Sequence, residues 1–267
     1  METIVSARAD IPSCPEEPVG EWNKFHQQWG GLHNFLLDSR LTEFNYEFPP
    51  LERIIEEVRH DSHAIVRSGI KGDAFDLTEI KEAFLKLPLV EAMRSRFVLA
   101  HFGLHPHLTG QGQVFEGIDE KWVEPWRKRL VEHGFSFERV YAILFASGPH
   151  SASNFHMDKT HQLAWQGYGI KHFHGLHDPD KWTTAQERAA CDLTMVKPDG
   201  IGDADVHTIV QPPGSQLWNT VAIPHWVETY DECAATLTLV HDDLRLHGEL
   251  SPHSKEREET LRQVGAT

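Results

Sequence analysis

Ala235-Thr236-Leu237-Thr238-Leu239-Val240 places two threonines and a valine on one side of an extended chain and two leucines on the other. Successive side chains of a strand point to opposite faces, and threonine, valine and leucine suit a pleated surface with both faces in use. Similar short apolar or alternating runs recur on the N-terminal side: Arg139–Ala146, Ser153–Met157, Gln162–Tyr168, Ile170–Leu176, Thr208–Gln211, Gln216–Trp218 and Thr220–Ile223. Gly, Pro and Asp divide them. Many short strands punctuated in this way predict a sandwich or barrel. Before residue 135 the pattern changes. Leu51, Ile54, Ile55, Val58 and Ile65 recur at helical spacing, as do Leu77, Ile80, Ala83, Phe84 and Leu87. A helix is predicted over Lys121–His133, with Asp119 as its N-cap, Gly134 as its stop and Pro125 early enough to be tolerated. Trp22, Phe25, Trp29, Leu32 and Leu36 suggest another over Glu21–Leu37, with the Gly30-Gly31 pair arguing against it. The expected organisation is mostly β with added helices. A helical region over 1–135 packs on a β core over 136–246, and a charged tail over 247–267 is a surface helix or disordered.

Forty acidic against 25 basic residues give a formal net charge of −15. Such a surface repels a polyanion, and no dense Lys/Arg cluster offsets it, so nucleic acid is not an expected partner. The longest apolar run, Tyr141–Ala146, is far short of the roughly 20 residues that span a bilayer. Three scattered cysteines (Cys14, Cys191, Cys233) form no disulfide framework and no CxxC zinc motif. The first twelve residues carry Glu2, Arg8 and Asp10 and no apolar core of signal-peptide length. A cytoplasmic protein without a membrane partner is the expectation. The sequence leaves a homodimer open.

Candidate chemistry centres on His156-Met157-Asp158. On an extended strand residues i and i+2 share a face, so this histidine and this aspartate can fill adjacent corners of a metal site. A distant second histidine would complete a two-His, one-carboxylate triad with open positions, the arrangement non-haem iron(II) uses. The motif alone is weak: with 19 histidines and 40 acidic residues, about three His-x-Asp/Glu triplets arise by chance. His241-Asp242-Asp243 is another instance and is read as a loop. His105-Pro106-His107 and His172-Phe173-His174 are read as exposed or hydrogen-bonded histidines, the second pair facing away from Lys171. The neighbourhood of His156 is what raises it above this background. Lys171 follows thirteen residues after Asp158, then Pro212-Pro213-Gly214-Ser215-Gln216-Leu217-Trp218, then Ile223-Pro224-His225-Trp226.

In this layout the chain resembles the JmjC/cupin-like 2-oxoglutarate oxygenases, and it is similar to the factor-inhibiting-HIF type of asparaginyl hydroxylase. The resemblance covers about 100 residues, Tyr141 to Val240. It implies a double-stranded β-helix (jelly-roll) core. It also implies His156, Asp158 and His225 as ligands of Fe(II), and Lys171 as partner of the distal carboxylate of 2-oxoglutarate. Such a buried carboxylate needs a charge-assisted partner. Ser153 falls where the family often has a hydroxyl on that carboxylate, and Gln162 where an amide sits near the co-substrate. Thr238 is read as an ordinary strand threonine ahead of a pocket-lining one, and Trp165, Tyr168, Phe173, Trp218 and Trp226 as core ahead of walls of a substrate pocket. The family's Gly-Asp-x-x-x-x-Pro turn departs here to Gly214-Ser215…Thr220, which puts the turn geometry in question. The implied activity uses Fe(II), 2-oxoglutarate and O₂ to hydroxylate or desaturate an unactivated C–H bond, with succinate and CO₂ as co-products. A small-molecule or amino-acid-like substrate is favoured. The alternatives are a protein hydroxylase or lysyl demethylase, and a metal-binding cupin without oxygenase activity.

Overall fold

The computed structural model describes residues 14–71, 78–193 and 195–265; Leu77 and the stretch up to Pro12 lie outside the described residues. In chain order the strands are β1 (Phe35–Leu37), β2 (Ile65–Arg67), β3 (Val98–His101), β4 (Phe135–Ser136), β5 (Arg139–Ser147), β6 (His161–Tyr168) and β7 (Lys171–Leu176). They continue as β8 (Val206–Gln211), β9 (Gln216–Asn219), β10 (His225–Thr229), β11 (Ala234–Asp242), β12 (Arg245–Leu246) and β13 (Glu249–Leu250). The helices are α1 (Trp22–Gln27), α2 (Ser39–Thr42), α3 (Leu51–Arg59), α4 (Thr78–Lys86), α5 (Leu89–Arg94), α6 (Leu104–His107) and α7 (Glu124–Glu132). Then come α8 (Pro179–Trp182), α9 (Ala185–Ala190) and α10 (Pro252–Gln263). No helix is long and apolar enough to cross a membrane, among the described residues.

Seven strands pair in the order β1-β9-β6-β11-β5-β3-β2, and three in the order β10-β7-β8. A cavity lined by residues of both sheets lies between them. The central strand β11 shows how alternation builds two interiors. Leu237 and Leu239 join Ala142, Leu144, Leu163 and Trp218 in the main apolar core, which includes Ile54 and Ile55 of α3 and Trp126 of α7. Each fully buried leucine contributes about 1.5–3 kcal/mol. On the other face Thr236 lines the cavity with Gln162, Ala164 and Asn219. The apolar core is therefore outside the barrel, under helices, and the lumen is lined largely by polar side chains.

Several expectations are corrected. The helix expected over Glu21–Leu37 stops at Gln27 and a 3₁₀ turn ending at Gly30. Phe35–Leu37 is instead strand β1, paired with Gln216–Trp218, because a sheet edge offers its backbone more hydrogen bonds than a glycine-broken helix. Ile65 leaves the α3 pattern for β2, pairing with Ala100. The region before residue 136 thus lends three strands to the large sheet besides its helices. Lys121–His133 is a π-turn, Asp119–Val123, running into α7, with Pro125 in the first turn of α7. Asp119 makes no cap and faces His105 at 3.2 Å. Ser153–Met157 is a broken edge segment that meets β10 at two bridges, Ala152↔Glu228 and His156↔His225. Thr220–Ile223 is a turn in which Ala222 has φ +59° and its N–H donates to Asp158 O at 2.9 Å. His241 and Asp242 end β11 and are not in a loop. His241 is buried in the outer core, where it accepts from Trp126 Nε1 at 2.7 Å. Beyond His247, α10 is capped by Ser251 and anchored by buried His253, whose Nε2 bonds Gly31 O at 2.9 Å. The Pro212–Ser215 turn closes despite its missing Asp. Gly214 supplies φ +89°, a backbone state open to glycine, and the Ser215 hydroxyl donates to Pro212 O at 2.7 Å.

Candidate metal centre

His225 opens β10, and the bridge between His156 and His225 sets the two backbones side by side, each N–H donating to the other's carbonyl at 2.9 Å. The rings follow, with centroids 4.3 Å apart. Asp158, two residues past His156, brings Oδ2 within 3.4 Å of His225 Nε2. Bonds of about 2.0–2.2 Å meeting at roughly 90–110° place ligand atoms about 3.0–3.5 Å apart, so this spacing fits two ligands of one ion. Ligand atoms of all three residues lie within 4.8 Å of one another.

The surroundings orient these donors. His156 Nδ1 donates to Asn154 O at 2.8 Å and His225 Nδ1 to Ile223 O at 2.9 Å. Each bond fixes the tautomer that leaves Nε2 as the lone-pair donor, the outer-shell device of metal-binding histidines. Burial, with the neighbouring His156, pulls the His225 imidazole down to about 4, so it is neutral and able to ligate. The Asn219 side chain, buried at the end of β9, donates to Asp158 Oδ2. Phe173 stacks on the His225 ring at 4.6 Å and 18°.

Lys171 opens β7 opposite Thr229 and Gln211. Its side chain is buried and its ammonium donates to Phe145 O at 3.1 Å. Burial pulls it down to about 7, with Cys233 opposing slightly. A desolvated ammonium with one carbonyl partner is a strong attractor for a carboxylate. The cavity of about 110 Å³ that Lys171 lines also takes in His156, Asp158, His225, Ser153 and Gln162. All six residues singled out in the sequence therefore meet in one place. Their expected roles fare differently. The Ser153 hydroxyl donates to Asn154 O at 3.1 Å and accepts from Val227 N–H at 2.9 Å, so both its functions are already engaged. Thr236, not Thr238, lines the cavity; Phe173 lines it too, whereas Trp218 belongs to the outer core. Gln211 was missed. It lies directly across from Lys171, and its buried Nε2 has no hydrogen-bond partner. Asn219 was missed as well, although its place six residues before His225, at the end of the predicted Gln216–Trp218 strand, was a signal.

Two facing antiparallel sheets around a cavity lined by a His-x-Asp…His set form a double-stranded β-helix (jelly-roll) fold. Solved structures share it: Escherichia coli ribosomal oxygenase YcfD is similar with a TM-score of 0.53 at 15% identity, over 84% of this chain and 52% of that one. YcfD in complex with cobalt and 2-oxoglutarate gives 0.52 at 14%, over 83% and 51%. The complex with cobalt and succinic acid gives 0.52 at 13%, again over 83% and 51%. The chain spans about half the length of these structures. No family profile and no curated protein matches the sequence.

Proposed function

We propose that the chain is an Fe(II)- and 2-oxoglutarate-dependent oxygenase that hydroxylates a C–H bond on a protein side chain. The observation that carries this reading is Lys171, a buried ammonium in the same cavity as an oriented two-His, one-carboxylate set. A metal-binding cupin without a dicarboxylate co-substrate has no use for that charge. His156 Nε2, His225 Nε2 and Asp158 would hold Fe(II), and Lys171 with Gln211 Nε2 would hold the distal carboxylate. Bound iron and 2-oxoglutarate supply the oxidising chemistry with O₂, leaving succinate and CO₂. The chain positions and excludes water: Asn219 fixes the carboxylate, the two backbone carbonyls fix the rings, and Phe173 shields His225. An intact Asp158 favours oxygen transfer over halogenation, since halogenating relatives vacate this position for halide.

A small molecule was the favoured substrate on sequence grounds. The likeness in fold to a ribosomal oxygenase supports the alternative, a protein substrate. Net charge supports it too, because a chain at −15 attracts basic polypeptides, and ribosomal proteins are the first class to test. The chemistry is tested by anaerobic titration of the Fe(II)-loaded protein with 2-oxoglutarate, watching for the weak visible charge-transfer band. No band in wild type, or a band that persists in a His156→Ala/Asp158→Ala variant, refutes the site. Mass spectrometry of ribosomal proteins after turnover tests the substrate, a gain of one oxygen being expected. Succinate formation that responds to metabolite pools alone would restore the small-molecule reading.

A further inference from the structure

Outside the barrel, the turn after α3 and the end of α6 bring a second carboxylate and two imidazoles together. We propose that Asp61, His63 and His107 form a second metal site that takes a borderline divalent cation, such as Zn(II), and ties that turn to α6. The ligand atoms of the three residues lie within 4.8 Å of one another. Asp61 Oδ1 is 3.1 Å from His63 Nδ1, near the roughly 3.3–3.5 Å between two donors of one tetrahedral ion. The rings of His63 and His107 are 4.2 Å apart at 32°, so small side-chain rotations bring both nitrogens to a common point. Two imidazoles and one carboxylate suit Zn(II), Co(II), Ni(II) or Cu(II) better than Mg(II) or Ca(II), which prefer all-oxygen shells. His63 and His107 are exposed, so the ion reaches the site directly from solvent.

A buried residue behind the carboxylate separates this group from a chance surface cluster. His101, with no solvent exposure, donates from Nε2 to Asp61 Oδ1 at 3.1 Å, while its Nδ1 accepts the Gly103 N–H at 3.3 Å. The second bond sets the tautomer that makes the first. The carboxylate is thereby aimed by a fixed imidazole, the role outer-shell partners play around metals. The fold holds His101 there: β3 pairs with β2 through Ala100↔Ile65, beside the Asp61 turn, and Val66, Leu99 and Leu104 anchor these segments in the core. Among the described residues no lysine-lined cavity like that of the barrel adjoins these donors, and solvent would complete the ion's coordination. The ion's presence does not depend on the oxygenase reading.

Equilibrium dialysis against micromolar Zn(II), read by elemental analysis, tests the site. Wild type is expected to bind two ions per chain, His63→Ala/His107→Ala one, His156→Ala/His225→Ala one, and the fourfold variant none. Zn(II) is also expected to raise the melting temperature of the His156→Ala/His225→Ala variant and not that of the fourfold variant. His63 and His107 are exposed, so their replacement leaves folding intact, and equal stoichiometry in wild type and His63→Ala/His107→Ala overturns the proposal. Binding of no Zn(II) by a folded His156→Ala/His225→Ala variant overturns it as well.

Discussion

The barrel group His156/Asp158/His225 and the surface group Asp61/His63/His107 use the same three donors. In the barrel both imidazoles are aimed, each Nδ1 tied to the carbonyl two residues earlier, and the carboxylate is held by Asn219. At the surface the carboxylate is aimed by His101, and the two imidazoles are exposed, with His63 Nδ1 against Asp61 Oδ1 at 3.1 Å and Ser62 Oγ at 3.2 Å instead of a backbone carbonyl. The barrel group also shares its cavity with a desolvated lysine, which the surface group lacks. A donor set by itself therefore does not tell the two groups apart. It takes a fixed outer shell and a charge placed for a second ligand to make such a set an oxygenase centre.

Removing a donor should have the largest effect. His156→Ala or His225→Ala is expected to abolish the 2-oxoglutarate band and to lower iron affinity by at least about a hundredfold, beyond the 10–100-fold typical of losing an outer partner. An anaerobic band of wild-type intensity in either variant would move the chemistry out of the barrel and end the contrast. Next comes Lys171→Ala. Breaking a buried charge pair costs about 3–5 kcal/mol, so the 2-oxoglutarate concentration needed for half-maximal succinate formation should rise from about a hundredfold to a few thousandfold. Iron binding should be retained, and unchanged co-substrate dependence would remove Lys171 from the site. Smaller still is Asn219→Ala, which frees Asp158 Oδ2. Iron affinity should fall about 10–100-fold, with the 2-oxoglutarate requirement little changed. An unaltered iron affinity would mean that outer-shell aiming is not what separates the two groups.

Legibility in the sequence followed the same divide. Strand alternation in runs such as Thr236–Val240 gave a sandwich or barrel, because a strand's inward face is fixed by a period of two, and the His156, Asp158, Lys171 and His225 candidates came from a layout that resembles a known family; the fold gathers them, with Ser153 and Gln162, around one cavity. Gln211 and Asn219 escaped because their roles come from cross-strand register, Gln211 against Lys171 and Asn219 against Gln162, and register is not written in one strand. Ser153 lines the cavity as expected, but its hydroxyl has partners the sequence could not show. A hydroxyl at the right position can be consumed by backbone partners, here Asn154 O and Val227 N–H, that only the folded chain supplies. The N-terminal region misled most at Phe35–Leu37 and Ile65, where apolar residues with helical spacing were captured by sheet edges. Asp61, His63 and His107 were invisible as a group, since His107 lies more than forty residues from the other two and only the β2–β3 pairing brings them near.

The finest test of the contrast is a pH profile, because it reads the desolvated lysine without a mutation. In the free protein burial holds Lys171 at about 7. A carboxylate beside it favours the charged form and raises that value in the complex. Below pH 7 the free protein already carries the proton, so 2-oxoglutarate affinity should be level. Above pH 7 the free lysine is increasingly neutral while the complex keeps the proton. Binding must then take one up, and the apparent dissociation constant should climb toward tenfold per pH unit. Lys171→Arg, whose guanidinium stays charged throughout this range, should flatten the profile whatever its absolute affinity. Anaerobic titrations of the visible band from pH 6 to about pH 9 give the slope directly. A level wild-type profile across that range would mean the free lysine is not desolvated, and the barrel group would then differ from the surface group only in how its donors are aimed.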